Sequence, residues 1–141
     1  MQIGRQINKI SNYLRRRSQK TQEKIGITNN QALVLDYIMA SNCPVYQKDI
    51  EKEFDLRSSS VTELIDGMEE KGWIERIVSP SDKRLKQIVF KDNSDVVRNS
   101  IKNEICTTEK QLIKGINKKD LEVFMKVTNQ MLKNLEEEDE Q

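Results

Sequence analysis

The sequence predicts a mainly α-helical fold with a small antiparallel β-hairpin, and two patterns support this. Apolar residues recur every three or four positions through most of the 141 residues, which is the spacing of a helix face. The exception is Lys71–Phe90, where two short stretches rich in strand-forming residues flank a turn. The length suits a single domain over residues 1–141. A charged content of 33% fits an elongated, helix-rich chain that buries part of its surface against a partner.

The first two helices are predicted from an apolar stripe and a capping motif. The first helix has a basic and polar opposite face, should end at Gly26, and has a stripe formed by Ile3, Ile7, Ile10 and Leu14. Thr28-Asn29-Asn30-Gln31 has the form of a capping box. It should open a second helix that is apolar on most sides, lies in the core and ends before Pro44.

A helix-turn-helix is predicted next. A short helix from about Gln47 to Phe54 precedes three serines, Ser58–Ser60, and an amphipathic helix over Arg57–Lys71 that Gly72 should end. The serines are good candidates for its N-cap. Ser60-x-x-Glu63 also matches a capping box, so the start of the helix is open by one or two residues.

The hairpin that follows carries positive charge at its tip. Ser79–Asp82 has typical turn chemistry, and Leu85–Phe90 is the predicted second strand. Lys83, Arg84 and Lys86 therefore lie at the tip or just past it, and Asp82 is placed to form a salt bridge with Arg84. A cationic hairpin beside a helix fits a nucleic-acid groove better than an enzyme pocket. The alternative is a plain surface ion pair with solvated lysines.

The rest of the chain is predicted to form two more helices. The first is interrupted at Gly115, Asn117-x-x-Asp120 opens the second, and both have apolar stripes that one small domain could hardly cover. We therefore expect residues 1–26 and 92–136 to form a helical dimerisation region across a two-fold axis, with residues 28–91 as the helix-turn-helix lobe. The alternative is an intramolecular bundle.

Charge is unevenly distributed, although the net charge is only +1. Residues 1–30 contain seven Lys and Arg residues against Glu23 alone, whereas Glu136–Glu140 is a run of five acids. Residues 137–141 are interpreted as an acidic tail. Without that run the chain is clearly basic, which is a modest footprint for phosphate binding. The alternative is that both runs are solvated faces or frayed ends.

Several classes of function are disfavoured. The chain has no histidine and no nucleophile or phosphate-binding motif, so we expect no enzyme, no catalytic residue and no cofactor. Cys43 and Cys106 lack metal-ligand spacing, so we expect no metal site. They are interpreted as reduced thiols of a cytoplasmic protein, with a redox-sensing thiol as the alternative. No run reaches membrane-spanning length, and the start MQIGRQINKI lacks a signal core.

We expect the 57–71 helix and the hairpin to contact DNA. Hydroxyls and backbone N–H groups in the first turns of a helix can reach phosphates and base edges, and an arginine at a hairpin tip suits a narrow minor groove. Glu63 could accept a hydrogen bond from a cytosine amino group or complete the capping box. The predicted DNA-binding residues are Arg57, Ser58, Ser59, Ser60, Thr62, Glu63, Asp82, Lys83, Arg84 and Lys86.

Two stretches carry a resemblance to a known family, MEEKGWIER at 68–76 and PSDKR at 80–84. With the elements around them, they resemble the MarR family of winged helix-turn-helix transcriptional regulators over nearly the whole chain. The resemblance implies an obligate homodimer that binds pseudo-palindromic operators in double-stranded DNA. It matches Asp82 and Arg84 to the family's wing pair and Ser58–Thr62 to its major-groove positions. It also implies a repressor released by a small phenolic or lipophilic effector, whose binding residues are unknown.

The chain departs from the family's pattern at three positions. Glu63 and Gly67 stand where relatives often have basic residues near the DNA backbone, and Lys91 stands in place of a usual threonine. We therefore expect modest DNA affinity or an unusual base preference. Two alternative functions are a dimeric winged-helix interaction protein of the anti-repressor type, with little DNA binding, and a thiol-based redox-responsive regulator.

Overall fold

The computed structural model describes residues 1–139, so Glu140 and Gln141 of the predicted acidic tail lie outside the described residues. The elements follow one another as α1 (Ile3–Ile25), α2 (Asn29–Ala40), β1 (Val45–Tyr46), α3 (Gln47–Glu53), α4 (Ser58–Glu70), β2 (Ile74–Val78), β3 (Lys86–Phe90), a 3-10 turn (Asp92–Ser94), α5 (Asp95–Leu112) and α6 (Lys118–Asp139). The mainly helical class with a β-hairpin is confirmed.

The chain divides into two compact units, Met1–Ile105 and Cys106–Gln141, and α5 contributes residues to both. The first unit has a continuous hydrophobic core, to which α2 contributes Val34, Leu35 and Ile38. The predicted central position of α2 is therefore confirmed. Helix α4 contributes Val61, Ile65 and Met68 to the same core, so the amphipathic face fixes which side of α4 is left for solvent.

Helix ends follow the predicted sequence signals at three places. The capping box of α2 is complete, since the Thr28 side chain accepts from the Gln31 N–H at 3.2 Å and the Gln31 side chain accepts from the Thr28 N–H at 3.1 Å. Helix α1 ends at Gly26, whose φ is +70°. Helix α4 ends in a Schellman motif in which the Gly72 N–H donates to the Glu69 carbonyl at 2.9 Å and Trp73 N–H to Met68 at 3.1 Å.

The start of α4 differs from the prediction, because no serine caps it. Arg57 is the N-cap and makes no side-chain capping bond, and its carbonyl already accepts from the Val61 N–H at 3.1 Å. Ser58, Ser59 and Ser60 are therefore the first three helical residues. The predicted serine N-cap and the Ser60–Glu63 capping box were wrong, since both place the first turn too late in the chain.

The hairpin lies in a three-stranded antiparallel sheet of order β1-β3-β2. Arg76 of β2 pairs with Ile88 of β3, and Val45 of β1 pairs with Ile88 on its other side. Strand β1 was not predicted, because two residues after a proline give no alternation to detect. The tight turn is Asp82–Leu85, closed by the Leu85 N–H donating to the Asp82 carbonyl at 3.0 Å, which puts Lys83 and Arg84 at the tip.

The second unit consists of the end of α5, a turn and α6. Gly115 has a φ of +81°, and Asn117 caps α6 by accepting from the Asp120 N–H at 2.9 Å, as predicted. No residue of α6 is buried, and exposed apolar side chains on it include Val123, Phe124, Met125, Val127, Leu132 and Leu135. Among residues 1–139, no helix has the length and apolarity needed to cross a membrane.

Candidate nucleic-acid interface

Helices α3 and α4 form the predicted helix-turn-helix, and a polar contact ties them together. The Gln47 amide at the start of α3 donates to the Thr62 hydroxyl of α4 at 2.8 Å. Thr62 is half-buried as a result. Among the predicted contact residues of α4, Thr62 thus already has a protein partner for its hydroxyl oxygen. Its O–H proton is still free to donate a hydrogen bond to a ligand.

The first turn of α4 is open to an outside acceptor. Ser58, Ser59 and Ser60 are exposed, and no side chain caps the N–H groups at the helix start. The first N–H groups of a helix have no partner within it and carry partial positive charge, so they favour anions such as phosphate. The hydroxyls that capping does not use remain available for hydrogen bonds to a ligand.

The exposed face of α4 beyond this turn is acidic. Its four carboxylates are all exposed, and the helix contains no Lys or Arg between Ser58 and Glu70. Any attraction for phosphate must therefore come from the first turn and from neighbouring elements. The four residues are Glu63, Asp66, Glu69 and Glu70.

The hairpin tip projects a positively charged side chain from a braced turn. Asp82 Oδ1 accepts from the Arg84 backbone N–H at 3.0 Å and lies 3.3 Å from Arg84 Nε. The predicted salt bridge is confirmed. The Arg84 side chain is nevertheless 93% exposed, and Lys83 and Lys86 are exposed on either side of it. The aspartate thus orders the turn and leaves the guanidinium facing outward.

Arg76 joins the hairpin to the acidic face of α4, and it was not among the predicted site residues. Its guanidinium forms ion pairs with Asp66 and, from Nε at 3.1 Å, with Glu69 Oε2. Its side chain is only 18% exposed. Burial lowers the pKa of Arg76, but hydrogen bonds and charge from both carboxylates raise it more, so the pKa lies above its ordinary value. The sequence did contain a signal for the partial burial of Arg76. Arg76 is two residues from Ile74, so the two side chains lie on the same face of β2, and Ile74 is buried.

Gly67 has a packing role that the sequence did not reveal. A Cβ atom at this position would lie 2.9 Å from Nε2 of Gln31, the residue that completes the capping box of α2. Real Cβ atoms do not come so close to other heavy atoms without displacement. The departure from the family's basic residue at this position is therefore explained by the contact between α4 and α2, and Gly67 does not lie on the exposed face.

A second cation fixes the other end of α4. Lys71 donates from Nζ to the carbonyl of Gly26, the residue that ends α1, and lies 4.8 Å from the centroid of the Trp73 ring. The contact joins the carboxyl ends of α1 and α4. The position of α4 is therefore linked to α1 as well as to the hairpin.

The remaining candidate groups are dispersed. Cys43 and Cys106 are both exposed and unpaired in the described chain. Tyr37 stacks edge-on against Phe54 with ring centroids 5.8 Å apart, and burial raises its pKa, with smaller contributions from Glu53 and Asp49. Within residues 1–139, no group of three or more His, Cys, Asp and Glu side chains could hold a metal ion.

Comparisons with known proteins agree with this geometry. A family model described as MarR family matches residues 25–85, which contain α2 to α4 and the hairpin tip. The chain is 31% identical over 104 residues to the HTH-type transcriptional regulator BilQ of Clostridioides difficile, covering 64% of this chain and 69% of that protein.

Solved structures show the same fold over the described chain. The transcription regulator MarR from Oenococcus oeni has a TM-score of 0.80 at 28% identity, covering 94% of this chain and 99% of the other. MepR of S. aureus in its DNA-binding conformation has a TM-score of 0.90 at 23% identity, covering 96% and 99%. The relatives are regulators, not enzymes. The helix-turn-helix, the braced hairpin and these matches together show that the chain belongs to the MarR family of winged-helix transcription regulators.

Proposed function

We propose that the protein is a cytoplasmic, homodimeric repressor that binds a pseudo-palindromic operator in double-stranded DNA. The observation that carries the proposal is the pairing of an uncapped, serine-rich start of α4 with a braced hairpin whose Arg84 is 93% exposed. The start of α4 and the hairpin tip both present hydrogen-bond donors to the outside. Within the described chain, the partner of Arg84 is Asp82, which orders the turn.

In this proposal, α4 enters the major groove with its first turn and the hairpin follows the backbone. Ser58–Ser60 would contact phosphates and base edges, with Arg57 beside them. Arg84 would enter the minor groove, where negative potential attracts a guanidinium group. Lys83 and Lys86 would contact phosphate. Thr62 would donate its remaining proton, and Glu63 would accept from a base amino group.

Exposed apolar side chains on the terminal helices support the homodimer. Ile3, Ile7 and Ile10 of α1 are 45%, 48% and 39% exposed, and Phe124 and Leu132 of α6 are 56% and 58% exposed. Apolar stripes of this kind favour burial against another chain. Two copies would place two α4 helices at successive half-sites. We propose that residues 1–26 and 92–136 supply the contact.

A small phenolic or lipophilic effector would release the operator. This part of the proposal rests on the resemblance to the family, and no residue is assigned to the effector. An effector acts in such a regulator by binding the DNA-free arrangement more tightly than the DNA-bound one, which shifts the population between the two.

The test is binding of the purified protein to a duplex of its own upstream DNA at two salt concentrations, with unrelated duplex as competitor. Arg84→Ala should weaken binding about 5- to 100-fold at low salt and reduce the salt slope by about one, because a minor-groove or phosphate contact is lost. Lys52→Ala removes an exposed positive charge at the end of α3, outside the proposed contact residues and the proposed dimerisation region, and serves as the matched control. Unchanged affinity for Arg84→Ala would refute the role of the hairpin.

A second candidate function is a dimeric interaction module of the anti-repressor type. The observation that favours it is the acidic exposed face of α4, which repels phosphate and would suit a basic protein surface. Binding to operator DNA that is no tighter than to competitor, with a flat salt dependence, would favour this candidate over the repressor.

A further inference from the structure

We infer that Arg76 is a positioning residue for DNA binding: it holds the hairpin against α4, and its positive charge offsets one of the two negative charges of Asp66 and Glu69, which would otherwise repel the DNA backbone. The inference rests on the proposed function, since it assigns a role within the same interface. Arg76 is not among the residues proposed to contact DNA, and its effect on binding would act through α4 and the hairpin.

The geometry uses the planar fork of the guanidinium. Arg76 lies at the centre of β2, opposite Ile88 of the middle strand, so its backbone is fixed by the sheet. From there its side chain reaches two carboxylates one helical turn apart, Asp66 and Glu69, from a site where it is 18% exposed. A lysine presents one compact ammonium group at the end of a flexible stem, so it would hold the two carboxylates with a less fixed geometry.

The ion pairs of Arg76 with α4 affect the charge that this helix presents to a polyanion such as DNA. Helix α4 carries four exposed carboxylates and no cation of its own. Duplex DNA presents about one negative charge per 1.7 Å of axis, and charges within a Debye length of roughly 8 Å at physiological salt still interact. Pairing two of the four carboxylates with Arg76 halves the number left without a partner on the face beside the proposed contact turn.

The same contact sets the position of the hairpin. Strand β2 leads directly to the tip that carries Arg84, and Arg76 ties that strand to α4 by side-chain contacts beyond the main-chain sheet. Loss of this tie would free the tip to move relative to the first turn of α4. Two contacts that must engage DNA together would then be less well aligned.

The experiment compares full-length variants on one operator. Wild-type protein first selects its operator from a pool of random duplexes, and affinities are then measured by fluorescence anisotropy from about 50 to 300 mM salt. The variants are Arg76→Gln, Arg76→Lys, Asp66→Asn with Glu69→Gln, and the triple variant that combines R76Q with D66N and E69Q. Thermal unfolding is measured for each.

The matched control is Arg98→Gln. Arg98 is also a partly exposed arginine with one ion pair, to Asp95, and it lies 4.9 Å from the Phe90 ring. Because Arg98 lies on α5 within the proposed dimerisation region, analytical ultracentrifugation checks that the variant is still a dimer. It reports what loss of an arginine ion pair does to the fold in general.

Arg76→Gln should weaken operator binding about tenfold at low salt and less at high salt, since repulsion between like charges is screened. Arg76→Lys should lie between it and the wild type. The triple variant should recover part of the loss, because it removes the two carboxylates with which Arg76 forms ion pairs. An Arg98→Gln protein that remains dimeric should bind within about twofold of the wild type.

Two results would overturn the inference. One is wild-type affinity for Arg76→Gln. The other is a loss that is equal at all salt concentrations, is not relieved in the triple variant and accompanies a fall in the melting temperature, which would mean that Arg76 only stabilises the fold. If the wild-type protein selects no sequence at all, the proposed function itself is refuted, and the inference with it.

Discussion

Substitution of Gly67 tests how α4 packs against α2, because a larger residue at this position would clash with Gln31. Replacing it with alanine places a Cβ atom 2.9 Å from Gln31 Nε2. Gln31 is 7% exposed, and its side-chain oxygen accepts from the Thr28 N–H at 3.1 Å. The glutamine therefore has little room to move without breaking the capping box of α2.

Two effects of similar size oppose each other in Gly67→Ala. Alanine in place of glycine in a helix interior stabilises by about 1 kcal/mol. Displacement of Gln31 costs about 1 kcal/mol if it disrupts the cap of α2. We therefore expect almost no net change in the free energy of unfolding of the Gly67→Ala variant. In a Gln31→Ala background the clash is absent, and the same substitution should stabilise by about 1 kcal/mol.

The assay is urea unfolding of four proteins at one protomer concentration: wild type, each single variant and the double variant. Equal concentration is needed because dimer formation shifts apparent stability. A coupling energy of about 1 kcal/mol between the two positions is expected. Equal stabilisation by Gly67→Ala in both backgrounds would refute the packing explanation, and the glycine would then have no structural reason in α4.

Three further predictions concern the dimer, the two thiols and the half-buried carboxylate of Asp36. Phe124→Glu with Leu132→Glu should convert a dimer to monomer in analytical ultracentrifugation; an unchanged dimer would place the interface elsewhere. If a thiol switch operates, the variant that combines Cys43→Ser with Cys106→Ser should lose any effect of peroxide on DNA binding. An effect retained in this variant would exclude a thiol switch. Burial raises the pKa of Asp36, so its charge destabilises the fold above that pKa. Asp36→Asn should therefore raise the melting temperature at pH 7, with a gain that shrinks as the pH falls through the range where aspartate is protonated; a gain independent of pH would contradict this.

The elements that the sequence predicted well are those with local signals. The capping box of Thr28 and Gln31, the glycine at the end of α4 and the Asn117 cap each depend on a few neighbouring residues, and all appear in the structure. The hairpin was predicted for the same reason, from alternation and turn residues. Its salt bridge between Asp82 and Arg84 spans two residues and could be anticipated from spacing alone.

The features that were missed depend on contacts between elements. Strand β1 exists because Val45 and Tyr46 add to the edge of a hairpin that comes later in the chain. The start of α4 was placed too late, because three consecutive serines offered several possible caps and the local sequence does not choose between them. Gly67 could not be explained from sequence, since its neighbour Gln31 lies on another helix.

The charge of a helix surface is a property of the assembled structure, and α4 shows why. Counted along the sequence, the helix is acidic, which favours a protein partner over DNA. In the structure, Arg76 pairs with two of its carboxylates and Arg84 projects from the same hairpin. Both arginines follow α4 in the sequence, and the pairing of β2 with β3 sets the position of the hairpin that carries them. The charge that the acidic face presents therefore depends on Arg76 of β2 as well as on α4 itself, and the Arg76 variants measure that contribution directly.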